Sequence, residues 1–423
     1  MVGYSHSRYP SVSIVQALTG LVVFHVGLWL LSEDRTRVKW SIAGAALGLQ
    51  IVLALIFVRW PPAAHVFDLV SGLMTALEKA SAAGTSFVFG FLGGGPAPYA
   101  VVEPGATYVL ALQALPLIIV VSALARVLTH WRVLPALVRL GSLTLERLLG
   151  IGGALGLSAA ANLLVGMTEA PLVVRPYLGR MSRSELFALM STGMATIAGT
   201  VFVLYATILA PLVPNAPGHL LAASLMSLPA AIAYSLILIP PTVLTGADID
   251  AGREDSGTFD ALTRGTFQGL QLYLNIVAML LVLVALVHLL NMGLGLIDLT
   301  GSPLSLERML GWILAPVCWL MGIPWGEAAA AGALMGTKVV LNELIAYVNL
   351  TQLPVATLSK DSELIMTYAL CGFANFGSLG MLVGGLSLLV PERREEILEL
   401  GLRSIVVGTL ATCTTGAIVG LVA

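Results

Sequence analysis

The chain has 423 residues and a formal net charge of −2; 57% of its residues are hydrophobic, only 10% are charged, and its mean hydropathy is +0.94. A water-soluble domain carries about 25% charged residues, so the composition excludes one and indicates an all-α polytopic membrane protein with the lipid bilayer as first partner. No basic run or charge imbalance favours nucleic acid or an acidic surface as a partner.

Residues 1–13 lack the short apolar core and small-residue cleavage site of a signal peptide, so the apolar run that follows reads as a retained first helix. Two spans are expected near 12–32 and 40–58, with Arg35, Arg37 and Lys39 between them. Segment 62–91 holds Asp68, Glu78 and Lys79 and reads as an amphipathic interfacial helix, closed by the turn Gly93-Gly94-Gly95-Pro96. Segments 106–126, 184–212, 219–245, 267–290, 362–389 and 403–422 can each cross the hydrocarbon layer. Residues 246–260, with Asp248, Asp250, Arg253, Glu254 and Asp255, read as a solvated linker. Cys318, Cys371 and Cys413 lie in apolar stretches without metal-type spacing and read as small buried hydrophobes.

About eight transmembrane helices with both termini on the outer side place nearly every Arg-bearing loop in the cytoplasm, Arg59 and Lys360 being mild exceptions. That count requires 149–180 and 310–355 not to cross. Each is apolar but interrupted by a polar tip, Gly166–Pro171 in one and Gly336–Glu343 in the other, so each is expected to be a re-entrant helical hairpin. Each is followed by a span with its own interruption, at Ser191–Thr200 and at Cys371–Gly380. Glycine in membrane helices also serves close packing, but its coincidence with an acid-bearing hairpin in both halves favours two broken helices. Two hairpins and two broken helices in opposite orientation make an inverted repeat, which places substrate and ion sites near the midplane. Three regions are expected: 12–90, an N-terminal transmembrane region with the interfacial helix; 96–198, a gate-like region with the first hairpin; and 199–422, with the second hairpin and broken helix.

Acids at membrane depth are costly and mark functional sites, which directs attention to Glu169 and Glu343. An intramembrane enzyme would need a catalytic constellation, yet His6, His25, His65, His130, His219 and His288 are scattered and no H-E-x-x-H motif occurs. A selective pore would show carbonyl filters or charge rings, whereas one compact polar site in an inverted repeat suggests a transporter.

Three motifs carry a family resemblance: Gly336-x-Lys338-x-x-x-Asn342-Glu343-Leu344-Ile345-Ala346-Tyr347, Gly166-x-Thr168-Glu169-Ala170-Pro171-Leu172 and Gly372-Phe373-Ala374-Asn375-Phe376-Gly377-Ser378. With Trp29–Glu33 and Ala83–Gly90, the chain resembles the concentrative nucleoside transporters over almost its whole length. The resemblance implies a homotrimer whose protomers each move a transport domain of hairpins and broken helices, elevator-like, against a fixed scaffold. It implies import of nucleosides driven by a sodium or proton gradient, with no organic cofactor, and the compact form suggests a bacterial inner membrane.

The resemblance also assigns residues. Glu343, Asn375 and Ser378 match ribose-holding positions, and a carboxylate, an amide and a hydroxyl suit sugar hydroxyls. Phe373 offers an apolar face to base or sugar, or ordinary packing. Gly166, Met167, Thr168 and Glu169 at the first tip, with Val201 as a wall, face the base; Glu169 could alternatively pair with Lys338 or Arg175, and Thr168 could cap a half-helix. The sodium site maps to the Asn162 side chain, the carbonyls of Val165 and Ile197, and Thr196, although Asn162 also reads as an interhelical hydrogen bonder. Many members have Gln where this chain has Met167. Gly166-Met167 with Thr200-Val201 looks like the purine-preferring animal branch, so purine nucleosides are expected. Proton coupling through Glu169, with broad or pyrimidine specificity, is the alternative.

Overall fold

The computed structural model describes residues 14–60, 63–100, 108–246, 255–297 and 303–423, and its elements are helices. Helices α1 (Ile14–Leu30) and α2 (Trp40–Ala54) precede α3 (Ala63–Phe89), which ends in a tight turn over Gly90–Gly93 and the left-handed Gly94 (φ 94°). Two short segments, α4 (Leu110–Gln113) and α5 (Leu117–His130), lead to α6 (Val133–Leu149). Among the described residues, six helical stretches are long and apolar enough to cross a membrane, including Trp40–Arg59, Leu110–His130, α12 (Ala216–Leu238) and the stretch ending in α19 (Arg394–Val422). Of the span expected over 12–32, helix α1 covers Ile14–Leu30, and residues 12 and 13 lie outside the described residues.

The first hairpin rises as α7 (Gly153–Val165) and returns as two single turns, α8 (Ala170–Val173) and α9 (Arg175–Leu178). Pro171 and Pro176 stand in the first turn of each, and proline can open a helix but cannot continue one. The return arm of the expected hairpin is therefore segmented. Its two ends nevertheless meet: Thr245 accepts from Ala154 N through its carbonyl (3.1 Å) and donates to Arg180 O through its hydroxyl (3.3 Å).

The second hairpin is shorter than the 310–355 read from sequence. Helix α14 (Leu306–Leu320) is a separate arm bent 117° from α15 (Trp325–Val340), and the reversal lies at Leu341–Asn342, between α15 and α16 (Glu343–Gln352). Asn342 accepts from Ile345 N (2.9 Å), which caps the new helix. Ser359, just beyond α16, donates its N–H and its hydroxyl to Glu327 at the start of α15 (3.0 and 3.1 Å), closing this hairpin in turn.

The two interrupted spans are α10 (Arg183–Ala195) with α11 (Gly199–Leu209), and α17 (Lys360–Leu370) with α18 (Phe376–Leu389). A capping box at Ser182 and Glu185 starts α10, and Ser359 and Asn375 cap α17 and α18. The first break is extended at Thr196 and Ala198, with Ile197 N donating to Ser224 Oγ on α12 (3.2 Å). Phe373 N in the second break donates to Thr196 O in the first (3.2 Å), so the breaks lie against each other. Close approach is possible because Gly372 lacks a Cβ, which would stand 2.8 Å from Ala195 O.

Helices α10, α12, α17 and α19 form the buried centre, whereas α13 (Thr258–Leu294) buries only Ala261, Gly265, Gly269 and Val287 of its 37 residues. Gly265 and Gly269 let α13 lie on α5; Cβ atoms there would come within 2.8 Å of Ala123 Cα and 2.7 Å of Ile119 Cα. One expectation fails here. Asp255 is not part of a solvated linker but is buried beneath Arg126 (2.9 Å) on α5, because a carboxylate removed from water needs a cationic partner. Asp248, Asp250, Arg253 and Glu254 lie outside the described residues. At one end Arg183 meets Glu33 (3.1 Å) and Glu399 (2.7 Å), while Arg403 meets Glu33 (2.5 Å), joining three loops that the charge rule assigned to one side.

Candidate functional site

A cavity of about 490 Å³ opens where the hairpin tips and the breaks converge, with α13 as its far wall. Met167, Thr168, Glu169, Val201, Glu343, Phe373, Asn375 and Ser378 all line it. Gly166 does not. Its backbone, at φ 101° and ψ 173°, occupies a region open to glycine alone, and a Cβ would stand 2.6 Å from that of Ala198. Gly166 therefore turns the tip towards the first break and leaves the wall to its neighbours.

Glu343 is the first residue of α16 and only 4% exposed. The helix N-terminus favours negative charge there, and two neutral donors hold the carboxylate: Tyr205 OH on Oε1 (2.5 Å) and Asn375 Nδ2 on Oε2 (2.9 Å). A carboxylate offers about four lone-pair sites, so these two side-chain bonds do not exhaust its accepting capacity. Asn375 spends its own oxygen on Ser378 N (2.7 Å), which fixes the amide's orientation and aims its nitrogen at Glu343. Lys338, fully buried in α15, donates to Ala369 O (2.8 Å) and Thr412 Oγ1 (2.9 Å), tying the second hairpin to α17 and α19. Phe373, Val201 and Met167 supply apolar surface beside these groups.

A second polar cluster lies behind the first tip. Asn162 Nδ2 donates to Thr192 O (2.9 Å) and Thr196 Oγ1 (2.5 Å), and the Thr196 hydroxyl donates onward to Thr192 O (3.0 Å). Asn162 thus bridges helices as one reading foresaw, yet its Oδ1 is buried without a hydrogen-bond partner. A buried unsatisfied acceptor calls for an explanation. The adjoining chain is unwound at Thr196–Ala198 and ends a helix at Val165, which supplies backbone oxygens of the kind a hard cation takes. The donor set fits a sodium ion.

Residues 19–92 and 219–420 match family models described as the N-terminus and C-terminus of the Na+ dependent nucleoside transporter, and residues 111–212 match one described as Gate, nucleoside recognition. The nucleoside permease NupC of Helicobacter pylori is 35% identical over 415 residues, covering 96% of this chain and 97% of its own. The chain belongs to the concentrative nucleoside transporter family. Solute carrier family 28 member 3 of Homo sapiens is 32% identical over 425 residues, 95% of this chain but 59% of that longer protein. Among solved structures, CNTnw in an inward-facing substrate-bound state is 35% identical, with a TM-score of 0.88 over 97% of each chain. A CNTnw variant in an outward-facing state gives 0.90.

Sequence reasoning missed several wall residues of this concentrative nucleoside transporter relative. Tyr205 carried a usable signal: it follows Val201 by four residues and so shares its helix face. Asn275, Ile276 and Met279 carried none, because α13 lies far from both hairpins in sequence and reads as an ordinary span.

Proposed function

We propose that the protein is a sodium-coupled symporter that imports nucleosides, with a preference for purines, by an elevator-type displacement of the hairpins and broken helices past α5 and α13. The carrying observation is the two-faced cavity. Glu343 keeps accepting capacity beside Asn375 and Ser378, and Met167 and Val201 present apolar surface in the same cavity. A vicinal diol suits the first, and a flat base suits the second. Sodium, when bound, supplies positive charge at the orphaned Asn162 Oδ1, and its family-implied ligands Thr196, Val165 and Ile197 lie on the same unwound ends. Assembly as a trimer in a bacterial inner membrane, with both termini outside, belongs to this reading on the family likeness and the charge rule.

Labelled adenosine uptake into proteoliposomes, with an inward sodium gradient set against an inward proton gradient at matched voltage, tests it. Accumulation above equilibrium is expected with sodium alone, and adenosine and guanosine should compete better than uridine. Accumulation with protons alone would move the coupling to a carboxylate, Glu169 first, and stronger competition by uridine would refute the purine preference.

Tyr205 adds a positioning role. Tyr205→Phe removes one donor from Glu343 while keeping the ring against Tyr347 (centroids 5.5 Å apart). Affinity for adenosine is expected to fall about tenfold, the worth of one hydrogen bond to a charged group. Affinity for its 2′,3′-dideoxy analogue should change little; equal losses for both would mean that Tyr205 does not act through Glu343.

A further inference from the structure

The far wall of the cavity comes from α13, a helix that packs chiefly on α5. The side chains it turns inward are apolar (Leu272, Ile276, Met279, Leu283), with one exception, Asn275. Asn275 lies seventeen residues beyond Thr258 and nineteen before Leu294, which is the middle of the longest span. At 1.5 Å per residue it stands about 26 Å from one end and about 28 Å from the other. Its side chain is exposed to the cavity and makes no hydrogen bond to another described residue. An amide at that depth is costly against hydrocarbon and is tolerated where it faces a polar passage.

A polar solute carried across an apolar wall loses water hydrogen bonds at mid-passage, and an unpaired buried donor or acceptor raises the barrier. We propose that Asn275 is the polar relay of the fixed wall: its amide exchanges hydrogen bonds with the nucleoside as the hairpins carry it past α13. It sets the rate of crossing, whereas Glu343 and Asn375 set the affinity at rest. The inference rests on the nucleoside-symport reading of the same cavity and adds a residue from outside the moving unit.

The test uses purified protein in proteoliposomes with adenosine, alongside adenosine binding to the same preparations in detergent. Asn275→Leu should lower the uptake rate at saturating adenosine about tenfold, one hydrogen bond's worth in the transition state, with the dissociation constant within about threefold of the original. Asn275→Ser, which keeps a donor and an acceptor, should recover part of the rate and guards against a folding defect in the Leu variant. An unchanged rate in the Leu variant would overturn the relay, as would a loss of rate matched by an equal loss of affinity. Absence of uptake by the unsubstituted protein would overturn the symport reading itself, and the relay with it.

Discussion

Replacing Glu343 by Gln is expected to weaken nucleoside binding and uptake about a hundredfold, the upper part of the range for a hydrogen bond to a charged group. The side chain keeps its size, and the α16 cap at Asn342 is untouched, so the fold should persist. What changes is the acceptor set. One oxygen becomes an amide nitrogen that meets either the Tyr205 hydroxyl or Asn375 Nδ2, and the second of these contacts sets donor against donor. The accepting capacity that remains for the ligand loses both charge and orientation. Binding of adenosine by titration calorimetry measures the effect, and 2′,3′-dideoxyadenosine, which cannot use the carboxylate, should show little difference. Unaltered adenosine affinity would remove Glu343 from the site.

Replacing Asn162 by Ala is expected to raise the sodium concentration for half-maximal uptake at least about tenfold, since a buried polar acceptor is lost from the ion's ligands. Adenosine affinity at saturating sodium should fall much less. The variant also deletes the bonds to Thr192 O and Thr196 Oγ1, so structural loosening must be separated from ligand loss. Asn162→Asp does this: it keeps an oxygen in place of the orphaned Oδ1 and should restore much of the sodium response. An unchanged sodium dependence in the Ala variant would place the ion elsewhere.

The two residues were readable in the sequence for different reasons. Glu343 interrupts an apolar segment beside Asn342, and a membrane penalises such an acid unless it lines a site, whereas Asn162, inside an apolar helix, was assigned only through the family resemblance. The same logic placed both breaks within the expected intervals, although Ser191–Met194 of the first continue α10 and the chain leaves the helix only at Thr196–Ala198. Whatever depended on partners distant along the chain was not legible. Asp255 looked solvated until Arg126, 129 residues away, was seen to cover it. The boundary between α14 and α15 was hidden because Gly322 and Pro324, which mark the bend, fall inside a run of steady hydropathy. Asn275 was invisible because a single amide in a long span gains meaning only from the cavity it faces.

The contact between the two breaks bears on how this protein can be engineered. In a continuous helix Thr196 O would accept from Thr200 N; here it accepts from Phe373 N, in the other half of the repeat. The irregular backbone of each half is thus the hydrogen-bond partner of the other, and neither can wind into regular helix without stripping its counterpart. Swaps that raise helix propensity, a common route to more heat-resistant variants, would act against the native state at residues 196–198 and 371–375. Thermostabilising libraries are better aimed at exposed positions of α6, away from the paired breaks.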